Sequence, residues 1–424
     1  MQNSLNLIQH LDTPVSESAP AHIPYFRPEL SEEAVAEVVD TLRSGWLTSG
    51  PKVKIFERDF ATAVGARYAV AVNSCTAALH LALDALELRA GQGVLVPTMT
   101  FAATAEVVRY FGAIPILVDC DPINLNMSIA DAKHKLEQAK ANKLQNEFGR
   151  GIDVVGVIPV HVGGMMMDLE QVERFSIEHD LWVVEDAAHA FPAAWRRGAQ
   201  QPWQRCGENT AAISCFSFYA NKTITTGEGG MATTSNQEYA ERMRLMSLHG
   251  LSHDAWERYS GGESWDYKIV EPGFKYNLTD IAAAIGIHQL AAAEQMRRKR
   301  ETIAHWYLES LADVDEIELP AQDPDRIHSW HLFPIKLRLN CLTIDRNAFL
   351  NKLKQTGIGA SVHWRPLHLH PYYQETFGSR AADFPVATSV WKRLISLPLF
   401  PGLRDDEVAY IVRVVKELCA RHRR

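Results

Sequence analysis

Leu181–Ala190 reads LWVVEDAAHA, four apolar residues of a buried parallel strand running into two acids, Glu185 and Asp186, at the strand's carboxyl end. Open α/β sheets bind their ligands at that end. Similar strand-like runs at Tyr68–Val72, Gly93–Val96, Ile114–Val118, Val154–Val160, Ala211–Ser217 and Met231–Thr234 alternate with helical stretches between residues 30 and 289. The alternation predicts a large α/β domain around a mostly parallel, seven-stranded sheet. A chain of 424 residues, 46% of them apolar, exceeds a single core. A long helical stretch from Asp280 to Ala312 is expected to lead into a smaller α+β domain over residues 290–424. That domain is predicted to hold a strand at 331–337, a helix at 346–356 and a closing helix at 405–421. Residues 1–29 read as a loose N-terminal arm. The charged stretch Ala132–Arg150, rich in lysine, asparagine and glutamine, reads as a solvated helix and loop.

Chemistry enters with Ser217–Gly230, SFYANKTITTGEGG, where the apolar run Ala211–Phe218 feeds Lys222 into a threonine- and glycine-rich turn. A buried ammonium is costly unless it pairs or loses its charge, and condensation with an aldehyde removes that charge. Pyridoxal 5′-phosphate (PLP) is therefore the first cofactor to consider, against a lysine that snorkels from a strand end. PLP needs a carboxylate at its pyridine nitrogen, because the protonated ring acts as the electron sink. Asp186 is placed for that, and a contact pair is worth on the order of 4 kcal/mol at an effective dielectric near 20. The alternatives are a helix cap or a metal ligand. His189 either orients Asp186, bonds the cofactor's 3-hydroxyl, or packs as a core histidine. In Tyr68–Leu83, YAVAVNSCTAALHLAL, a strand breaks at Asn73-Ser74 and a helix begins. The free amides of Ser74, Cys75, Thr76 and Ala77 could hold a phosphate, or the turn could simply be capped by Asn73 or Ser74.

Further segments share one ordered pattern. They are GWLTSGPKVKIFERDFA from Gly45, VPTMTFAATAEVVRYFGAIPILVDCD from Val96, VIPVHVGG from Val157 and HGLSHDAWERY from His249. GFKYNLTDIAAAIGIHQL follows from Gly273, then HSWHLFPIKL from His328, SVHWRPLHLHPYY from Ser361 and SLPLFPGL from Ser396. With VNSCTAALHLAL, EDAAHA and SFYANKTITTGEGGM, they make the chain resemble, nearly end to end, the DegT/StrS family of PLP-dependent nucleotide-sugar aminotransferases. That family lies in the fold type I aminotransferase superfamily.

The resemblance implies that Lys222 anchors PLP as a Schiff base and Asp186 pairs with the pyridine nitrogen. It implies that Phe101 stacks on the ring, that His189 lies near the 3-hydroxyl, and that Thr76, Ala77 and Ser217 contact the phosphate. Asn277 would reach the phosphate of a neighbouring subunit, giving a homodimer with shared active sites; its other reading is a turn residue before the caps Thr279 and Asp280. Three departures stand out: Cys75 replaces a common glycine, His189 a common glutamine, and Met165–Met167 make a usually polar place apolar. The methionines read as adaptable packing near the entrance, and Cys75 as a small packed group.

The implied activity moves an amino group from L-glutamate to a nucleotide-linked keto-sugar, with a 4-keto-6-deoxy sugar in surface-polysaccharide synthesis favoured. Lys222 would serve as both anchor and general acid/base. Lys52, Arg258, Lys275 and Arg365 are candidates for the substrate's diphosphate, each also readable as a solvated surface charge. His328 and His363 are candidates for sugar or donor contact, or for structural hydrogen bonds. A sugar 3-aminotransferase is the nearest alternative. A dehydratase on the same fold resembles a branch in which histidine replaces the anchoring lysine, and Lys222 is present here. A non-catalytic binding homologue has no need of Lys222, Asp186 and Ser217 together.

Composition bounds the rest. A net charge of −8 without a basic block excludes nucleic acid as the expected partner. Six scattered cysteines without metal spacing predict a reducing compartment, with neither disulfides nor a metal site. No apolar run approaches the ~20 residues of a membrane span, and the first twenty residues lack a signal-peptide pattern, so a cytoplasmic enzyme is expected.

Overall fold

The computed structural model describes residues 22–146, 149, 151–208, 210–251 and 268–424. Its central sheet contains β1 (Tyr68–Val72), β2 (Gln92–Pro97), β3 (Ile114–Val118), β4 (Asp153–Val157), β5 (Trp182–Asp186), β6 (Ile213–Ser217) and β7 (Gly230–Thr234). The order is β1-β7-β6-β5-β4-β2-β3. Only β7 runs antiparallel to its neighbours; every other pairing is parallel.

Both faces of the sheet are covered, which is why its strands read as continuous apolar runs. Helices α1 (Glu32–Ser44), α2 (Pro51–Val64), α3 (Cys75–Ala85), α4 (Ala103–Tyr110), α5 (Ile129–Lys140), α6 (Leu169–His179) and α7 (Gln237–Ser247) supply most of that cover. In β1, Val70 and Val72 pack in the same core as α3, α4 and α7, while Ala69 and Ala71 face Phe56 and Phe60 of α2. The stretch expected to form a solvated helix instead contributes α5, which buries Ala132, Lys135, Leu136 and Ala139. Leu136 and Ala139 lie three apart on one helical face, a period hidden by the surrounding lysines and glutamines. Residues 147, 148 and 150 of that stretch fall outside the described residues.

The single helical stretch expected from Asp280 to Ala312 is two helices, α8 (Asp280–Ala291) and α9 (Ala293–Ser310), divided at Ala292 with ψ near −4°. The run of alanines there carries no sequence sign of a break. Beyond α9 lies a second core, built on an antiparallel sheet of β8 (Ile317–Glu318), β9 (Phe333–Leu337) and β10 (Leu394–Leu397) with α10 (Arg346–Gln355). Helices α11 (Pro371–Phe377) and α12 (Pro385–Trp391) lead to the closing α13 (Asp405–Arg421). Residues 1–21 of the expected arm lie outside the described residues. Ile23, within it, is fully buried in this second core and exchanges backbone hydrogen bonds with Gly357 and Gly359.

β9 starts at Phe333 rather than His331. Trp330 sits at φ +52°, and the loop before the strand docks on the turn after β4, with Ser329 N–H donating to Gly164 O and Leu332 N–H to Gly163 O. That docking carries His331 to the carboxyl edge of the main sheet. Among the described residues no helix is long and apolar enough to cross a membrane.

Candidate active site

The carboxyl ends of β5 and β6, the N-terminus of α3 and segment 361–364 enclose a cleft of about 610 Å³. Asp186 ends β5 with its side chain buried. Its Oδ2 accepts from Thr104 Oγ1 at 2.7 Å and its Oδ1 from Ala188 N–H at 3.1 Å. Burial pushes the carboxyl upward in pKa, and the two donors and Lys222 pull it back.

Lys222 follows β6 in a turn made rigid by its threonines. Thr225 Oγ1 donates to Phe218 O at 2.9 Å, Thr223 Oγ1 donates to Phe191 O, and Lys222 N–H donates to Tyr219 O. Burial lowers the ammonium pKa to about 8, against the pull of Asp186. A lysine with that value has an appreciable neutral fraction near physiological pH, which is what a Schiff-base-forming amine requires.

At the head of α3, Ser74 is the N-cap, and its Oγ accepts from Ala77 N–H at 3.1 Å. Ser74, Cys75 and Thr76 line the cleft. Ala77 does not: it is buried, and its amide is taken by the cap, so the expectation of an Ala77 amide facing a phosphate does not match this geometry. β7 passes so close that a Cβ on Gly230 would lie 2.4 Å from the carbonyl carbon of Ser74 and 2.6 Å from Cys75 N. Ser217 and Phe101 also line the cleft, and the Phe101 ring is 63% exposed, an apolar face left open toward the cavity.

His189 lies beside them, with Nδ1 accepting from Gly163 N–H at 3.2 Å. Burial, with Lys222 and His363 nearby, holds its pKa well below the ordinary histidine value. The neutral ring therefore carries its proton on Nε2. His331 packs against it at 4.1 Å between ring centroids, and Trp364 stacks on it at 5.0 Å.

The substrate candidates separate. His363 lines the cleft; its Nδ1 is 3.0 Å from Ser396 Oγ, and burial lowers its pKa to about 4. His328 does not: it stacks flat on Trp330 at 4.0 Å and its Nδ1 accepts from Trp330 N–H, a packed role the sequence left open. Arg365 is exposed away from the cleft and donates to Leu369 O. Lys52 is paired with Glu37 and Asp40 of α1. Lys275 donates to Asn277 Oδ1 at 2.6 Å, Asn277 Nδ2 donates to Ser49 Oγ at 2.7 Å, and none of these lines the cleft. Arg258 lies outside the described residues. Met165–Met167 are buried, Met166 and Met167 as packing within two separate cores, and none of them lines the cleft.

Residues missed at the sequence level include Thr104, Asn221, Glu228, His331 and Trp364. Thr104 hid in a helix's first turn, and His331 inside what read as a strand. Behind Asp186 a buried cluster joins His161, Glu185 and Cys206 within 4.8 Å, a spacing that could hold a metal ion. However, His161 Nδ1 accepts from Met167 N–H at 3.2 Å, which puts a proton on Nε2, 3.6 Å from Glu185 Oε1. A protonated nitrogen has no lone pair for an ion.

Residues 28–416 match the DegT/DnrJ/EryC1/StrS aminotransferase family. The chain is 42% identical over 402 residues to an uncharacterized protein of Methanocaldococcus jannaschii, covering 95% of this chain and 98% of the relative. It is 41% identical over 397 residues to the spore coat polysaccharide biosynthesis protein SpsC of Bacillus subtilis, covering 93% and 97%. A putative sugar aminotransferase of Streptococcus pneumoniae, solved in its PLP form, superposes with a TM-score of 0.82 at 31% identity, covering 94% of this chain and 99% of that one. The main sheet with its smaller C-terminal α+β part is the fold type I arrangement. The chain belongs to the DegT/DnrJ/EryC1/StrS aminotransferase family and is a PLP-dependent sugar aminotransferase.

Proposed function

We propose that the enzyme moves an amino group from L-glutamate to a nucleotide-linked keto-sugar, with a 4-keto-6-deoxy sugar the first substrate to test, in the making of a surface polysaccharide. One observation carries this reading: Lys222, with a pKa near 8, shares a cleft of about 610 Å³ with the buried carboxylate of Asp186. A cavity of that size accepts a cofactor together with a sugar substrate. The likeness to a spore coat polysaccharide biosynthesis protein supports the pathway class.

The donor set fits PLP. The amides of Cys75 and Thr76 at the α3 N-terminus, with the Ser217 hydroxyl, suit its phosphate; the close pass of Gly230 leaves that turn no room for a side chain. Phe101 offers a ring face, Asp186 an anion for the pyridine nitrogen, and His189 an Nε2–H donor for the phenolic oxygen. Bound there, PLP supplies the electron sink for charge developing at the amino-bearing carbon. Lys222 Nζ, neutral when displaced, would take the proton from that carbon and return it to the cofactor's aldehyde carbon, and the same two transfers would run backwards in the second half of the reaction. Burial holds the rings of His189, His331 and His363 neutral, so they add no positive charge beside Lys222.

Asn277 and Lys275 lie off this cleft, and α1 leaves Val35, Val39 and Leu42 exposed as an apolar face. We assign that face to a second copy of the chain, with Asn277 reaching the partner's phosphate site. The arrangement would make the homodimer the active form.

The visible spectrum of the PLP-loaded protein tests the reading. L-Glutamate should bleach the long-wavelength band of wild type and not of Lys222→Ala, and a nucleotide-linked keto-sugar should restore it. A wild-type spectrum indifferent to glutamate and to every other amino acid would overturn the aminotransfer reading.

A further inference from the structure

We propose that Trp364 is a positioning residue for His189, holding the imidazole in the plane from which Nε2–H faces the cofactor's phenolic oxygen. This rests on the reading of His189 given above. The two residues come from opposite ends of the fold: His189 follows β5, and Trp364 lies in the segment between α10 and α11. Their rings stack 5.0 Å apart with planes 20° from parallel.

Among the described residues His189 has one polar tether on its ring, the Gly163 N–H to Nδ1, and its backbone O accepts from Ser329 Oγ at 2.6 Å. The tether selects which nitrogen carries the proton. A ring that swings about its Cβ–Cγ axis carries Nδ1 off that single bond, and Trp364 is the flat partner that opposes the swing. His331 meets the imidazole tilted at 47°, so it does not define a parallel plane.

Trp364 is itself firmly presented. Ser361 exchanges two backbone hydrogen bonds with Ser396 of β10, and His363 bonds Ser396 Oγ and stacks on Tyr25 at 5.4 Å. The indole thus rides on the small antiparallel sheet, and through it that sheet sets the angle of a ring in the PLP cleft.

The test uses full-length protein carrying Trp364→Ala, Trp364→Leu, Trp364→Phe or His189→Ala, checked for wild-type circular dichroism. Without cofactor, imidazole 15N spectra of histidine-labelled protein report His189 directly, its signals identified by their loss in His189→Ala. Wild type and Trp364→Phe should show Nδ1 bare and Nε2 protonated. Trp364→Ala and Trp364→Leu, which lack a flat ring, should show averaged nitrogens. In parallel they should bind PLP roughly 3- to 10-fold more weakly, the size of one aromatic stacking contact, with affinity rescued by phenylalanine. Wild-type nitrogens and PLP affinity in both the alanine and leucine variants, with His189→Ala impaired, would overturn the role of Trp364 and leave the cofactor reading standing. If His189→Ala also bound PLP like wild type, the placement of His189 at the cofactor would fall, and this proposal with it.

Discussion

Thr104 Oγ1 donates a 2.7 Å hydrogen bond to Asp186 Oδ2, joining the first turn of α4 to the end of β5 across 82 residues of chain. Thr100 Oγ1 lies 2.8 Å from the same hydroxyl, so with Thr104 donating to the carboxylate, Thr100 supplies the proton that Thr104 accepts. The short chain of hydroxyls stabilises an anion that burial otherwise disfavours.

Thr104→Val keeps the shape and removes the donor. A hydrogen bond to a charged group contributes about 1.5–3 kcal/mol, so PLP affinity should fall roughly 10- to 100-fold. Asp186, already raised, rises further without its donor. Its ionised form then begins at higher pH, and the acid limb of PLP binding should move upward. Thr104→Ser should behave as wild type. Equilibrium titration with PLP from pH 5 to 8 measures both effects; an unmoved acid limb in the valine variant would mean that Thr104 does not act on Asp186.

For Lys222, burial brings the pKa from its ordinary 10.5 to about 8. Near pH 7 the neutral fraction is then roughly 300-fold that of an ordinary lysine. The rate at which apo-protein captures PLP should rise with pH and level off above about 8. A midpoint above 10 would mean a solvated ammonium. Between about 8 and 10.5 the unfolded chain binds more protons at this residue than the folded one, so its contribution to stability grows as pH rises through that window.

How far the sequence reached follows from the range of each interaction. Asp186 and Lys222 could be singled out because one ends an apolar strand and the other lies in the turn that follows one, a local signal. The seven-stranded sheet was legible for the same reason, since strands buried on both faces have an unmistakable composition. Contacts that depend on three-dimensional return of the chain were not legible. Thr104 reaches Asp186, and Trp364 the cleft, from elements whose facing direction no local pattern states. Ala77 fell out because one serine oxygen took its amide, and His328 because its loop turned it onto Trp330 while His331 faced inward.

Gly230→Ala tests the phosphate turn without touching a polar group. Its Cβ would stand 2.4 Å from the Ser74 carbonyl carbon and 2.6 Å from Cys75 N, and both are backbone atoms that can yield only by moving the start of α3. The α3 amides should then lose their alignment, and the affinity for PLP, and for pyridoxamine 5′-phosphate, should drop at least about tenfold, the cost of roughly one charged hydrogen bond. Pyridoxal without the phosphate should bind wild type and variant alike. An equal loss for pyridoxal would locate the damage elsewhere in the cleft.

Glu185, the neighbour of Asp186 on the opposite face of β5, should matter to folding rather than to cofactor. Its Oε2 accepts from Ser214 Oγ at 2.6 Å and Thr210 Oγ1 at 2.7 Å, and Oε1 faces His161 Nε2. Burial opposes its charge, but His161, Ser214 and Thr210 more than offset that and hold the carboxyl below its ordinary pKa. Glu185→Ala takes the acceptor from the Ser214 and Thr210 hydroxyls, and each hydrogen bond to a charged group contributes about 1.5–3 kcal/mol. Urea denaturation of apo-protein at pH 7 should show that loss, while Glu185→Gln, which keeps an acceptor, should lose less. The difference between wild type and the glutamine variant should be full above the unfolded carboxyl pKa of about 4.3 and vanish as pH falls through the lower folded value. A difference that instead grew toward acid pH would mean that Glu185 is buried uncharged.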